Sequence, residues 1–309
     1  MRRPVRLAAA VPCREYRGVI RALRKADAEA AARLVLALNP HRLETGEMVW
    51  ARASKPPPSA LQRDWVVESD GEIVGHAYAA LAASGKARFW IGVHPTQRGR
   101  GLGTELYRTV QEHLASAARL RTWVDGDPAG ERFVRHRGFE LAGADRVSDL
   151  DPRAVDLSRL PELEADELRL VSLAEALDEV QALFERLAAG EIELPDDLVE
   201  WKWDDLEHPN LSHEGSFVVL DGAQPVAFGF LTADLERRVA YNQLTATLPG
   251  YRRRGLALLV KLATTRWAAE NGIERLLTEN DRENTPMLEL NDSLGYRPLY
   301  DQGIWVLER

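Results

Sequence analysis

The chain has 309 residues, 45% of them hydrophobic and 28% charged, which indicates a soluble globular protein long enough for two domains. Its formal net charge of -8 argues against a general nucleic-acid-binding protein, because neutralising phosphates requires a basic surface. Cys13 is the only cysteine and no apolar run is long enough to span a bilayer, so we expect a cytoplasmic protein with no disulfide and no membrane contact.

The first half is predicted to alternate strands and helices. Residues 1–14 are expected to form a loose arm, because chain termini are usually poorly ordered. Asp27 is predicted to cap an alanine-rich helix that Asn39 and Pro40 end. Three prolines at 56–58 predict a stiff connector, and Asp70-Gly71 is a hairpin signal. The predicted strands are 16–23, 65–68, 73–81, 87–93 and 120–124, and the predicted helices are 27–38, 101–118 and 129–136.

The second half repeats this order after a polar connector. Asp221-Gly222 is again a hairpin signal between two apolar segments, and Asn271-Gly272 is predicted to end a long helix. The predicted strands are 167–172, 217–220, 225–232, 240–247 and 273–278, with a final strand that ends at Leu307. The predicted helices are 174–188, 196–206, 255–271 and 285–294.

Matching landmarks make the repeat quantitative. Asp221 follows Asp70 by 151 positions, Arg252 follows Arg98 by 154, and Gly295 follows Gly138 by 157. A chance similarity would not keep this order with so little drift, so we infer two copies of one α/β domain. The predicted organisation is an arm at 1–14, a first domain at 15–152, a linker at 153–166 and a second domain at 167–309.

The strongest motif is a glycine- and arginine-rich turn between a strand and a helix. It reads VHPTQRGRGLG at 93–103 and returns as TLPGYRRRGLA at 247–257. A helix N-terminus presents unpaired backbone amides, glycine lets the backbone approach an anion, and arginine adds bidentate charge. The alternative is a turn that only caps a helix. The turn is not a Walker loop, and it lacks the three spaced glycines of a dinucleotide fingerprint.

The pattern R-x-x-G-x-G/A after a strand that ends in V-x-P resembles the pyrophosphate loop of the GCN5-related N-acetyltransferases. Residues 98–103 match this pattern fully, and residues 252–257 match it with alanine in the last position. The resemblance implies two tandem α/β (α+β) domains, each with a mixed, mostly antiparallel sheet flanked by helices. In that fold the sheet splays between its fourth and fifth strands to admit acetyl-CoA.

By this resemblance the two loops hold the pyrophosphate of acetyl-CoA, and the backbone of the preceding strand contacts its pantetheine arm. The implied residues of the first copy are Val93, Arg98, Gly99, Arg100, Gly101, Leu102, Gly103 and Thr104. Those of the second copy are Thr247, Arg252, Arg253, Arg254, Gly255, Leu256, Ala257 and, from the next helix, Asn284. Helical spacing favours core positions for the side chains of Leu102 and Leu256.

The catalytic groups are less evident. Many family members place a proton-donating tyrosine four residues before a Gly-Phe pair, but Val134 and Asn291 stand at those positions here. Glu279 ends the strand beside the expected splay of the second copy and is our candidate general base. The alternative is that it is one of 48 acidic residues on a wet surface. The seven histidines show no metal-binding spacing, so no metal is expected.

The sequence therefore predicts an N-acetyltransferase that moves an acetyl group from acetyl-CoA to a primary amine of a small molecule or peptide. The tandem layout resembles that of family members in which one domain is catalytic and the other degenerate, and the second domain keeps more of the pattern. The alternative is a non-catalytic acyl-CoA-binding or scaffolding protein. No nucleic acid is expected as a partner, and a homodimer joined through sheet edges remains open.

Overall fold

The computed structural model describes residues 18–55, 60–159, 168–188, 206 and 208–309. The predicted arm at 1–14, the prolines at 56–58, the second half of the predicted linker, and all but the last residue of the predicted helix at 196–206 lie outside these residues. In the described part of the chain, no helix combines the length and the apolar character that crossing a membrane requires.

The described residues of the first half form six strands and four helices, in the predicted order with one addition. Asp70 and Gly71 have φ values of 53° and 81°, as a tight hairpin requires. The elements are β1 (Val19–Ala22), α1 (Ala28–Leu38), α2 (Gly46–Ser54), β2 (Ala60–Ser69), β3 (Glu72–Ala82), β4 (Lys86–Val93), α3 (Leu102–His113), β5 (Arg119–Val124), α4 (Pro128–Arg135) and β6 (Glu140–Leu150).

Helix α2 was not predicted from the sequence, and the predicted side-chain cap of α1 is not formed. Helix α2 begins after Thr45, whose hydroxyl accepts a hydrogen bond from the Met48 amide at 3.1 Å. Asp27 precedes α1 as predicted, but its side chain does not cap that helix. Its carboxylate instead pairs with Arg21 at 2.6 Å and accepts the Arg24 amide at 2.8 Å.

The second half repeats the same order. Its elements among the described residues are β7 (Leu168–Ser172), α5 (Leu177–Ala188), β8 (Phe217–Asp221), β9 (Gln224–Asp234), β10 (Val239–Thr247), α6 (Leu256–Glu270), β11 (Arg275–Asp281), α7 (Thr285–Leu294) and β12 (Arg297–Glu308). All the predicted strands of both halves are confirmed where the structure describes them, with ends that shift by a few residues.

All twelve strands form one sheet in the order β1-β2-β3-β4-β5-β12-β6-β11-β10-β9-β8-β7. The last strand of each half has changed places with that of the other. Strand β12 pairs antiparallel with β5 of the first half, and β6 pairs antiparallel with β11 of the second half. Each half of the sheet is therefore completed by a strand from the other half of the sequence.

Two openings interrupt the sheet at equivalent places. Strand β4 pairs with β5 only through residues 86–88, although β4 continues to Val93. Strand β10 pairs with β11 only through residues 239–242, and its register against β9 shifts between Asn242 and Leu244. Beyond these points the strands separate towards the two glycine- and arginine-rich loops, which is the splay that the resemblance implies.

The exchange also joins the hydrophobic cores. Trp305 of β12 is 1% exposed and belongs to the same buried cluster as Phe89, Leu106 and Leu120 of the first half. In the other direction, Leu43 and Met48 from the first half pack in one cluster with Val239 and Leu277 of the second sheet. Burial of these side chains stabilises both halves at once.

We expect Trp305→Ala to lower the free energy of unfolding by about 3–5 kcal/mol, because it leaves a large cavity in the core of the first half. Leu141→Ala on β6, where the side chain is 55% exposed, is the control and should change stability by about 0.5 kcal/mol or less. Chemical denaturation of both variants measures this difference. Equal effects of the two substitutions would contradict the packing of β12 into the first half.

Candidate functional site

The two loops share one backbone conformation. Arg98 has φ -66° and ψ 159°, and Arg252 has φ -65° and ψ 159°. Each arginine donates a hydrogen bond from Nε to the carbonyl oxygen of the last residue of the preceding strand, Val93 or Thr247, at 3.2 Å. These hydrogen bonds tie each arginine to the strand that precedes its loop, so both arginines stabilise the loop conformation.

Left-handed residues then turn each loop into a helix. Gly101 with φ 88° precedes α3, and Gly255 with φ 76° precedes α6. Two residues earlier, Gly99 has φ 77°, and Arg253 adopts the same left-handed region with φ 63°. A non-glycine residue in this region is strained, and such strain is concentrated at functional sites. The second loop therefore keeps an arginine where glycine is the easier choice.

Both loops fit an anion such as a pyrophosphate. Among the described residues, no acceptor binds the backbone amides of residues 99–103 or of residues 253–257. A Cβ atom placed on Gly101 or Gly255 would meet no other atom within 4 Å, so the surface at the start of each helix is open. Unpaired amides at a helix N-terminus are the donors that a phosphate group requires.

The groove beside the first loop is bridged by an ion pair. Arg98 Nη1 lies 3.0 Å from Oδ2 of Asp127, which caps α4 by accepting the Ala129 amide at 3.0 Å. Because α4 lies on the far side of the opening between β4 and β5, this pair joins the two walls of the opening. The aspartate also brings negative charge to the place where a pyrophosphate would enter.

Aromatic packing fills the same groove further in. A Cβ atom on Gly103 would lie 3.2 Å from the ring of Phe133 on α4. The Arg137 guanidinium lies 3.4 Å from the centroid of that ring and donates to the Thr104 hydroxyl at 2.9 Å. Val134, at the expected position of the proton donor, is 5% exposed within the apolar core. In the first half, α4 therefore packs closely against the first turn of α3, beside the loop.

The described residues of the second half show different contacts at these positions. Asn284 stands at the position of Asp127 and caps α7 by accepting the Met287 amide at 3.3 Å. In the part of the chain that the structure describes, Arg252 forms no ion pair. Leu256 is 4% exposed, so its side chain is core, as Leu102 is in the first half, while its amide faces the loop. The Arg254 guanidinium rests 5.4 Å from the Tyr251 ring centroid, beside the exposed loop.

Glu279 lies where β10 and β11 separate. Its side chain is exposed, and its carboxylate accepts a hydrogen bond from the hydroxyl of Tyr241 on β10. Burial raises the pKa of Tyr241 well above its usual value, and the charge and hydrogen bond of Glu279 raise it further. Tyr241 therefore stays protonated and donates to the carboxylate.

A second polar cluster beside this pair comes from both halves of the sequence. Asp125, directly after β5, forms an ion pair with Arg42 at 3.0 Å and accepts hydrogen bonds from Asn39 at 2.8 Å and from Gln302. Burial opposes ionisation of Asp125, but the charge of Arg42 and these hydrogen bonds outweigh it and lower its pKa.

Tyr300 of β12 links the two clusters. Its hydroxyl accepts a hydrogen bond from Asn39 at 2.6 Å, and burial, followed by the charge of Asp125, raises its pKa to about 12. The charge of Glu279 contributes to the same shift. Sequence analysis missed Tyr300 and Arg42, which the strand exchange brings near Glu279, and it missed Tyr241, which lies on the neighbouring strand of the same half.

Asn291, which stands at the second expected donor position, is buried. Its amide nitrogen donates to Asn280 at 2.6 Å, and its Oδ1 atom has no partner among the described residues. An asparagine amide does not titrate, so this side chain cannot replace a tyrosine as a proton donor. Within the described ranges, no group of three or more metal-ligating side chains is placed to hold a metal ion.

Comparisons with known proteins agree with this geometry. Residues 62–141 match a model described as an acetyltransferase (GNAT) domain, and residues 177–296 match one described as the acetyltransferase (GNAT) family. A mycothiol acetyltransferase from Nocardia farcinica is 28% identical over 251 residues, which cover 77% of this chain and 80% of that protein.

Solved structures share the fold. The tandem GNAT protein from the clavulanic acid biosynthesis pathway aligns with a TM-score of 0.73 and 22% identity, over 94% of this chain and 98% of that one. A GCN5-related N-acetyltransferase from Sphaerobacter thermophilus aligns with a TM-score of 0.67 and 17% identity, over 94% and 96% of the two chains. The two family models together cover more than half of the sequence, one in each half, and the chain belongs to the GNAT acetyltransferase family.

Proposed function

We propose that the second half carries out the acetyl transfer and that the first half supports it without binding the acyl donor. The observation that carries this proposal is the contrast between the two grooves. The Arg98–Asp127 ion pair and the Phe133 ring lie beside the first loop, whereas the second half has Asn284 at the position of Asp127 and Leu290 at the position of Phe133. Both loops keep the anion-binding backbone, so the difference lies in access.

Acetyl-CoA is the proposed acyl donor, and family members generally use it. The amides of residues 253–257 would accept its pyrophosphate at the N-terminus of α6, with positive charge from Arg253 and Arg254. The backbone of Thr247 would contact the pantetheine arm, and Asn284 would contact it from α7. When bound there, the donor supplies the thioester whose acetyl group is transferred.

Glu279 is the proposed general base. An amine attacks a thioester only as the neutral base, so a carboxylate must accept a proton from the attacking nitrogen, directly or through a water molecule. The hydrogen bond from Tyr241 orients the carboxylate at the point where β10 and β11 separate. Tyr241 therefore acts as a positioning residue for Glu279.

The proposed acceptor is a primary amine on a small molecule. The cluster of Arg42, Asp125 and Tyr300 adjoins Glu279 and offers both donors and acceptors to a polar substrate. Arg42 and Asp125 come from the first half, which gives that half a role in acceptor binding. The relative named mycothiol acetyltransferase supports a small-molecule acceptor over a peptide.

We expect isothermal titration of acetyl-CoA into the intact protein to show one site, which Gly255→Glu weakens by about tenfold or more. That substitution combines an unfavourable left-handed side chain with negative charge at the donor's pyrophosphate. Gly101→Glu should leave the affinity unchanged.

Gly250→Glu is the matched control, because Gly250 lies in the same loop without a left-handed φ and its Cβ would meet no atom within 4 Å. Its effect measures the added charge alone and should be smaller than that of Gly255→Glu. Two sites in the parent protein, or loss of binding in Gly101→Glu, would overturn the proposed division of labour.

We expect Glu279→Gln to lower kcat by about 100-fold or more while the affinity for acetyl-CoA stays unchanged, because the amide cannot accept the proton. Tyr241→Phe should lower kcat less, since the carboxylate remains. Glu283→Gln is the control, because Glu283 is another exposed carboxylate of the same region. A kcat for Glu279→Gln within threefold of the control would remove Glu279 from the catalytic role.

A further inference from the structure

One lysine lies in the core of the second half. Lys261 interrupts the apolar face of α6 in the run LALLVKLATT and is 1% exposed. Its Nζ atom has no hydrogen-bond partner among the described residues. Lysine is almost never fully buried without a partner, because removing an ammonium group from water is costly. Burial lowers the pKa of Lys261 to about 7. Among the described residues, no hydrogen bond offsets the free-energy cost of burying this amine.

The place of Lys261 follows from its neighbours on α6. Thr264, one turn further along the same face, lies 3.4 Å from Oδ1 of Asn242 through its hydroxyl. Asn242 is the last residue of β10 that pairs with β11. Lys261 is therefore about 4.5 Å nearer to the loop than the point where the strands separate, since a helix rises 1.5 Å per residue. At this level α6 packs against β10, which forms one wall of the opening.

An aromatic side chain lies beside the amine at this level. Lys261 Nζ lies 5.2 Å from the centroid of the Tyr296 ring, within the range of a cation–π contact. The Tyr296 hydroxyl accepts a hydrogen bond from Asn242 Nδ2 at 2.7 Å. The ring thus connects the amine to the residue at which the opening begins.

The first half has a different residue at the equivalent position. Tyr107 precedes Lys261 by 154 positions, the same spacing that separates Arg98 from Arg252. Its ring packs against Phe89, 5.8 Å away, and Phe139, 6.3 Å away, in the apolar core. Among the described residues, the second half therefore has a buried amine at the position where the first half has an aromatic ring.

We propose that Lys261 is a catalytic residue that donates a proton to the sulfur of the departing CoA. The inference rests on the proposed function of the second half. The proposed donor has its pyrophosphate at the loop and its acetyl group at the point where β10 and β11 separate. Its sulfur then lies next to that point, on the side that faces the loop. Lys261 lies at that level, and Asn291 cannot supply the proton.

The proton and electron balance is complete with the two named groups. The acceptor nitrogen forms a bond to the acetyl carbon and loses a proton to Glu279. The carbon–sulfur bond breaks with its electron pair on sulfur, and the ammonium of Lys261 transfers one proton to that sulfur. Neutral Lys261 and protonated Glu279 then exchange protons with solvent, which restores both groups.

The direct test measures the ionisation of the CoA thiol when CoA is bound to the protein, by its thiolate absorbance as a function of pH. The amine and the thiol titrate as a pair, in which the thiolate keeps the ammonium protonated and the ammonium stabilises the thiolate, so the bound thiol should titrate below free CoA. Lys261→Met should raise the pKa of the bound thiol by about one unit or more relative to the parent protein. Lys86→Met, at an exposed lysine on β4, is the control.

Lys261→Arg separates charge from proton donation. Arginine remains charged at all working pH values, so the bound thiol should keep its low pKa while kcat falls. Thermal unfolding checks that Lys261→Met is folded, and we expect it to be at least as stable as the parent protein because an unpaired buried charge is removed.

Each outcome discriminates between the hypotheses. CoA bound by both proteins with the same thiol pKa in the parent and in Lys261→Met would overturn the proton-donor role alone. Loss of CoA binding in folded Lys261→Met would overturn it as well and make Lys261 a binding residue. Absence of CoA binding to the parent protein would overturn the proposed function of the second half and this inference together.

Discussion

The antiparallel pairing of β6 with β12 at the middle of the sheet is the contact on which the rest of the structure depends. Val147 of β6 pairs with Glu279 on one side and with Tyr300 on the other, so these two residues lie on the strands that flank β6, with a buried residue between them. Without the exchange, Tyr300 would belong to a different sheet from its present neighbours. The polar site therefore exists only because each half completes the other, and this explains why a half with a closed groove is retained.

The two copies keep one backbone and have diverged in the side chains around it. Loop conformation, strand separation and helix position agree between them, since these follow from glycine placement and strand pairing. The grooves differ because Asp127 forms an ion pair that Asn284 cannot form, and because Tyr107 completes an aromatic core where Lys261 leaves an amine. The first copy thereby has an ion pair and an aromatic core at these places, and the second copy has an asparagine and a buried amine. The strain of Arg253 in the left-handed region belongs to the same copy as the buried lysine.

Much of the fold could be predicted from sequence, because hairpin signals such as Asp70-Gly71 and the repeated loop act through local backbone geometry. The turn at 252–257 was predicted for the same reason, and its role in binding the acyl donor stays a prediction. The strand exchange could not be predicted, since β6 and β12 have equally good partners in either half. Tyr300 and Arg42 were missed in consequence. Lys261 did leave a signal, a single charge within an apolar helical face, but the signal has meaning only once Asn242 and Tyr296 are placed beside it.

Hydrogen–deuterium exchange of the intact protein with and without acetyl-CoA tests the central claim, that only the second half binds the acyl donor. The amides of residues 253–257 have no acceptor among the described residues and should exchange freely until a pyrophosphate binds them. The account predicts that acetyl-CoA slows exchange there and leaves residues 99–103 unchanged. Equal protection of both loops, or protection of the first loop alone, would contradict it.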